Sequence, residues 1–314
     1  MRFLILSCCL FVVGVGNAAP HKSTHVYKTV GDLKIHADVY SYADEKVRPV
    51  VVWLHGGALI NGGRQGVSGV VGRFAEENGY VLVSFDYRLA PETKLPGIIE
   101  DIEDAIRWLR KEGPAKFHID PKRIAISGGS AGGYLTLTAG FRVQPSPQAL
   151  LAFWGYGDLV GDWYSKPSPH PRHNRIKVTK EEAMAQIAGP PIANAKDRKG
   201  NGSMFYLYCR QTGGWPKAVS TWDPIKEAEK FRPYEPVRNV TRSYPATVLI
   251  HGTKDTDVPY NQSVMMAIEL GKVGVPHMFL PVADGEHGLA GANRANVEAF
   301  YRQALRFVKR ELER

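Results

Sequence analysis

Residues 124–134 read Ile-Ala-Ile-Ser-Gly-Gly-Ser-Ala-Gly-Gly-Tyr, with the second serine at position 130. A β-type run over 123–127 meets a turn of small residues, Gly128-Gly129-Ser130-Ala131-Gly132, and passes directly into a helix-like stretch. That strand, sharp turn and helix are the context a Gly-x-Ser-x-Gly nucleophile needs. The turn is tight enough that Gly128 and Gly132 must lack side chains where the backbone crosses itself. Ser130 is then forced into a strained conformation with its hydroxyl at the carboxyl end of the sheet. The following helix aims free N–H groups and its positive dipole end at the same point. Alone, the motif is one that any glycine-rich loop can produce, so the rest of the chain has to support it.

Outward from the serine, buried strands and amphipathic helices alternate. Residues 25–40 alternate apolar and polar about Gly31-Asp32, as an antiparallel hairpin at a sheet edge would. Pro49-Val-Val-Val-Trp-Leu54 is a continuous apolar run, the pattern of a strand buried on both faces, and it runs into His55-Gly56-Gly57-Ala58. Residues 81–85 repeat the pattern and lead into a loop at 86–92. Ile98, Ile102, Ala105, Ile106 and Leu109 then recur at helical spacing. Further strands are expected at 150–154, 246–252 and 276–282, with helices at 67–79, 260–272 and 297–312. The order predicts an α/β fold with a mostly parallel, doubly wound sheet and reactive loops at the strands' carboxyl ends. Residues 155–244, rich in Pro, Lys, Arg and Trp, break the alternation and are expected to form a cap-like insertion in a domain running from 20 to 314.

Three strand ends then carry Ser130, Asp255 and His287, in that chain order. With His55-Gly56-Gly57 after an early strand and Asp86-Tyr-Arg-Leu-Ala-Pro-Glu92 after the next, the chain resembles the α/β-hydrolase fold. Its closest resemblance is to the esterase and lipase branch related to hormone-sensitive lipase, and it is similar to secreted carboxylesterases and to acetylxylan and feruloyl esterases. The resemblance implies that Ser130 is the nucleophile, His287 the general base and Asp255 the acid that orients the imidazole. It also implies an oxyanion hole made by the backbone N–H groups of Gly57, Ala58 and Ala131. Ala58 stands where the family has a third glycine; alanine keeps the N–H and adds a methyl. Asp257, just before Val258-Pro259, competes with Asp255 for the place behind His287. Its position predicts a cap on the helix beginning near Tyr260 instead. His55 is expected to brace its loop, and Arg88 and Glu92 to anchor theirs.

Composition narrows the remaining classes. The 314 residues carry 40 Lys and Arg against 31 Asp and Glu, a formal charge of +9. These charges are spread along the chain without a basic stripe, so no nucleic-acid partner is expected. Arg2, the apolar run 3–15 and Gly16-Asn-Ala18-Ala19 form a signal-peptide pattern over 1–19, which predicts a secreted or periplasmic protein with no stable membrane anchor. Cleavage there removes Cys8 and Cys9 and leaves Cys209 alone, so no intramolecular disulfide is expected. No cofactor or metal is implied. Gly155-x-Gly157 is followed by Gly161, one place late for a dinucleotide fingerprint, and His170-Pro-Arg-His173 reads as a solvated loop.

The sequence therefore points to a serine carboxylic-ester hydrolase working through an acyl-enzyme. Two alternatives are an exopeptidase of the prolyl-oligopeptidase type, which shares the triad order, and a hydrolase-like binding protein that has lost its chemistry. Resemblance to acetylxylan and feruloyl esterases suggests an ester of plant polysaccharide, or a small-molecule ester, as substrate. Trp154, Tyr156, Trp163, Tyr164, Trp215 and Trp222 lie in or beside the insertion. They suit either sugar stacking or a small local core.

Overall fold

A computed structural model describes residues 19–187 and 189–314. The signal-peptide pattern at 1–19, with Cys8 and Cys9, lies outside the described residues apart from Ala19. Eight strands form one sheet: β1 (His21–Val30), β2 (Leu33–Ser41), β3 (Arg48–Leu54), β4 (Val81–Phe85), β5 (Ile119–Gly129), β6 (Ala149–Phe153), β7 (Ala246–Gly252) and β8 (His277–Val282). Their spatial order is β1-β2-β4-β3-β5-β6-β7-β8. β1 and β2 form an antiparallel hairpin at one edge, β2 joins β4 antiparallel, and every pair from β4 to β8 is parallel. The sheet is thus mostly parallel, as the alternation of strands and helices predicts.

The continuous apolar runs exist because both faces of the sheet are covered. Val50, Val52 and Leu54 point into one core, and Val51 and Trp53 into the other. Helices α1 (Gly69–Glu77) and α10 (Arg294–Leu312) supply Val71, Phe74, Phe307 and Val308 to the second core. Helices α2 (Leu95–Phe117), α3 (Ala131–Arg142) and α9 (Asn261–Lys272) supply Ile98, Ile102, Leu135 and Met266 to the first. The carboxyl ends of β3, β5, β7 and β8 therefore stand along one rim, where chain reversals place His55, Ser130, Asp255 and His287.

Between β6 and β7 the chain leaves the sheet and forms short helices: α4 (Asp162–Ser165), α5 (Pro171–Asn174), α6 (Lys180–Ala185), α7 (Ser203–Thr212) and α8 (Trp215–Ser220). Its aromatics build a local core. Trp215 is fully buried and stacks on Tyr164 with ring centroids 3.9 Å apart, Trp163 stacks on the same Tyr164 at 3.6 Å, and Tyr156 meets Tyr134 of α3 at 4.9 Å. Trp215 also donates its Nε1–H to the Ala58 carbonyl at 2.9 Å. Of the two uses foreseen for these rings, Tyr156, Tyr164 and Trp215 serve packing. Trp215→Ala removes this stack and that donor, so urea unfolding should show a loss of about 3–5 kcal/mol. A loss below about 1 kcal/mol, the range of tolerated core swaps, would mean that the ring does not support this core.

Candidate active site

The turn after β5 takes the form that its glycines allow. Ser130 has φ 56° and ψ −121°, a conformation that costs a non-glycine residue about 1–3 kcal/mol. A Cβ on Gly132 would collide with the Leu54 carbonyl, and one on Gly128 with the Gly132 carbonyl. The elbow therefore lies directly on the end of β3. It is held by Ser130 N–H donating to the Phe153 carbonyl and Tyr134 N–H donating to the Ser130 carbonyl, both at 2.9 Å. Among the described residues Ser130 Oγ has no hydrogen bond, and the N–H of Ala131, first in α3, has no acceptor.

The loop after β3 is packed against this elbow. A Cβ on Gly56 would sit 3.3 Å from Ser130 Cβ. Gly57, Ala58 and Leu59 all have positive φ (113°, 55° and 63°), which turns successive peptide groups over. Every carbonyl of the turn that faces away is occupied. Gly56 O accepts from His55 Nδ1 at 2.8 Å, Gly57 O from the N–H groups of Ile60 and Asn61, Ala58 O from Trp215, and Ile60 O from Arg198. The N–H groups of Gly57 and Ala58 donate to nothing among the described residues, so they remain available beside Ser130, as does that of Ala131. His55 is buried, stacked on Tyr87 at 4.1 Å, and burial holds its pKa below the ordinary value; it braces the loop. Trp215 and Arg198 reach this loop from the insertion. Nothing in the sequence spacing indicates them.

The loops after β7 and β8 carry Asp255 and His287. Asp255 Oδ1 accepts the N–H groups of Asp257 and Val258, both at 2.9 Å, and Oδ2 accepts His287 Nδ1–H at 2.8 Å. Buried His251 places its Nε2 3.3 Å from the same oxygen, a second partner that sequence reasoning missed. Burial would raise the Asp255 pKa, but the bonds from His251 and His287 outweigh it and bring it to about 2. The two loops cross where Gly252 touches the Gly285 backbone, and Glu286 clamps them by accepting the N–H groups of Thr256 and His287, each at 2.7 Å. Burial would lower the His287 pKa. The Asp255 bond and the charges of Asp255 and Asp257 overcome this and leave it raised.

The structure thus joins Asp255 to His287 directly and sets the 56–58 loop against Ser130. Trp154 bridges the two halves, with its Nε1 beside Gly129 and its ring 6.3 Å from the His287 ring. Ser130 Oγ and His287 Nε2 do not hydrogen-bond, and such contacts often tighten only around a bound substrate. Arg88 is fixed by Asp101 and the Gly97 carbonyl, and Glu92 by Arg198, so both anchor the 86–92 loop.

Two expectations are corrected. Asp257 caps no helix: α9 starts at Asn261 behind Tyr260 and has no side-chain cap. Asp257 Oδ1 instead accepts from His173 Nε2 at 2.9 Å and Tyr206 Oη at 2.5 Å, because α5 and α7 of the insertion press donors onto that carboxylate. For the same reason His173 is not in a solvated loop. It is buried, on a single helical turn, with Nδ1 on Ser168 Oγ at 2.8 Å.

Comparison with known proteins follows the same architecture. A family model described as BD-FAE matches residues 37–152, and one described as the prolyl oligopeptidase family matches residues 185–314. The non-reducing polyketide synthase atr1 of Stereocaulon alpinum is 33% identical over 159 residues, which are 45% of this chain and 6% of that protein. The chain spans about 6 to 14% of the length of the polyketide synthases it matches. An α/β-hydrolase superfamily protein from Enterococcus faecalis superposes with a TM-score of 0.72 at 22% identity, over 92% of this chain and 99% of that one. The acetyl ester-xyloside bifunctional hydrolase of Caldicellulosiruptor lactoaceticus gives 0.67 at 20% identity, over 94% and 98%.

Because the charged imidazole is the form that Asp255 and Asp257 favour, NMR titration of the His287 ring should give a midpoint above the ordinary 6.5. Asp255→Asn should lower that midpoint; an unchanged one would mean that the pair seen here does not govern the ring.

Proposed function

We propose that this chain, which has the fold of the α/β-hydrolases, is a serine carboxylic-ester hydrolase acting through Ser130, His287 and Asp255. The observation that carries this reading is the 2.8 Å pair of Asp255 and His287 at the same rim as a strained serine elbow. Asp255 holds the proton on Nδ1, which leaves Nε2 as the base. His287 Nε2 takes the Ser130 hydroxyl proton as Oγ bonds to the ester carbon. The oxygen that becomes negative meets the unpaired N–H groups of Gly57, Ala58 and Ala131. Nε2 then returns the proton to the alcohol as the carbon–oxygen bond breaks, leaving an acyl-Ser130. Water repeats the sequence with its proton on His287 and releases the acid. No step in this chemistry calls for a metal or a cofactor.

For substrate, we propose acyl esters on carbohydrate or similar small polyhydroxylated molecules, handled outside the cytoplasm after removal of the signal segment. The BD-FAE match over the elbow half and the likeness to an acetyl ester-xyloside hydrolase support this class. The prolyl oligopeptidase match over residues 185–314 keeps an exopeptidase as the second reading. Comparing turnover of p-nitrophenyl acetate with that of an aminoacyl p-nitroanilide separates the two.

Ser130→Ala should remove both ester turnover and labelling by a fluorophosphonate while leaving the melting temperature nearly unchanged, since the hydroxyl lies at a surface elbow. Turnover at the parent rate would sink the assignment. Asp255→Asn should cut kcat by about three to four orders of magnitude through loss of the correct tautomer. In the parent, kcat/KM should rise with pH as His287 loses its proton, with a midpoint above 6.5.

A further inference from the structure

The loop after β7 carries two carboxylates, and Asp255 is fully committed to His287, His251 and two backbone N–H groups. Asp257 is held differently. Its Oδ1 takes His173 and Tyr206, and Arg210 donates Nη1–H to its backbone carbonyl at 3.0 Å while standing 3.5 Å from Oδ1. Its Oδ2 receives no hydrogen bond from any described residue and lies 3.8 Å from His287 Nε2. That nitrogen is the one Asp255 leaves free, where the proton passes to the departing alcohol. A separation of 3.8 Å is too long for a hydrogen bond, so Oδ2 stands beside Nε2 without engaging it. The side chain is 13% exposed, and Oδ2 is the oxygen that no described donor occupies.

We infer that Asp257 reads the alcohol side of the substrate: Oδ2 accepts a hydrogen bond from a hydroxyl on the carbon next to the ester oxygen. The site accordingly selects esters of polyols and sugars over esters of plain alkyl alcohols. This rests on the ester-hydrolase reading and adds to it the group that chooses the alcohol. The geometry suits the role because the alcohol oxygen must sit beside Nε2, which brings a hydroxyl on the adjacent carbon within reach of Oδ2. An alkyl ester in the same place covers a carboxylate and offers it no donor, and sites built to bond a hydroxyl reject analogues that lack one.

The carboxylate is kept charged for this purpose. His173, Tyr206 and Arg210 face it from the insertion, Asp255 and His287 lie beside it on the sheet side, and the neighbouring Arg172 of α5 is paired with Glu286. Burial works against its ionisation, while the His173 bond and the His287 and Arg210 charges hold its pKa well below the usual carboxylate range.

The test uses 2-hydroxyethyl acetate and propyl acetate, which differ by a hydroxyl in place of a methyl. The parent enzyme should favour the hydroxy ester in kcat/KM by about tenfold or more, the scale of a hydrogen bond to a charged group. Asp257→Asn should shrink that ratio to within about threefold of unity and should lower the pH midpoint of kcat/KM for both esters. Tyr206→Phe removes a donor to Oδ1 but leaves Oδ2 in place, and it should keep the preference. A parent ratio near one, a ratio retained in Asp257→Asn, or a ratio lost equally in Tyr206→Phe would overturn the inference. A parent that hydrolyses neither ester would overturn the ester-hydrolase reading itself, and this inference with it.

Discussion

The site depends on one backbone contact, the elbow of residues 128–132 lying against the carbonyl end of β3. Gly128 and Gly132 make it possible, since a Cβ at either position would run into backbone. The contact holds Ser130 at φ 56° when isolated peptide geometry disfavours it, and the surrounding packing supplies the strain energy of about 1–3 kcal/mol. It also brings Gly56 against Ser130, so the turn that carries Ser130 and the loop with the unpaired N–H groups share one joint. Loosening that joint displaces both.

The insertion is part of the same joint. A turn with unpaired N–H groups is stable only if its carbonyls are satisfied, because buried polar groups without partners are costly. Trp215 supplies the donor for Ala58 and Arg198 the donor for Ile60, while Asn194 bonds Asp86 in the neighbouring loop at 2.9 Å. A segment that looks like an addition to the fold therefore finishes the hydrogen bonding of the loop after β3. The aromatic stack that joins α4 to α8 fixes Trp215 in place.

Electrostatically, the two carboxylates of the β7 loop share the work on His287. Asp255 holds Nδ1 and fixes which nitrogen is free. Asp257 places a charge on the side of Nε2, and the cation is favoured from both directions. Arg210 and His173 keep that second charge from becoming an unpaired buried ion, which would otherwise cost several kcal/mol. Glu286 ties the two loops that carry the carboxylates and the imidazole.

The sequence by itself determined the sheet, the elbow and the order of serine, acid and base. Apolar runs such as 50–54 and the helical spacing of Ile98, Ile102 and Ile106 are local consequences of burial on two faces or one. The glycines around Ser130 mark a backbone crossing that no other residue permits. The resemblance, together with the cap expected of Asp257, also favoured Asp255 for the place behind His287. Only the tertiary structure decided what Asp257 and His173 do. Position before a helix made Asp257 look like a cap, and flanking prolines made His173 look solvated. Both readings used sequence neighbours, whereas the partners that settle a buried charge, His173, Tyr206 and Arg210, come from elements some fifty to eighty residues away. The supports of the loop after β3, Trp215 and Arg198, were hidden for the same reason: a hydrogen bond between distant segments leaves no periodicity in the chain.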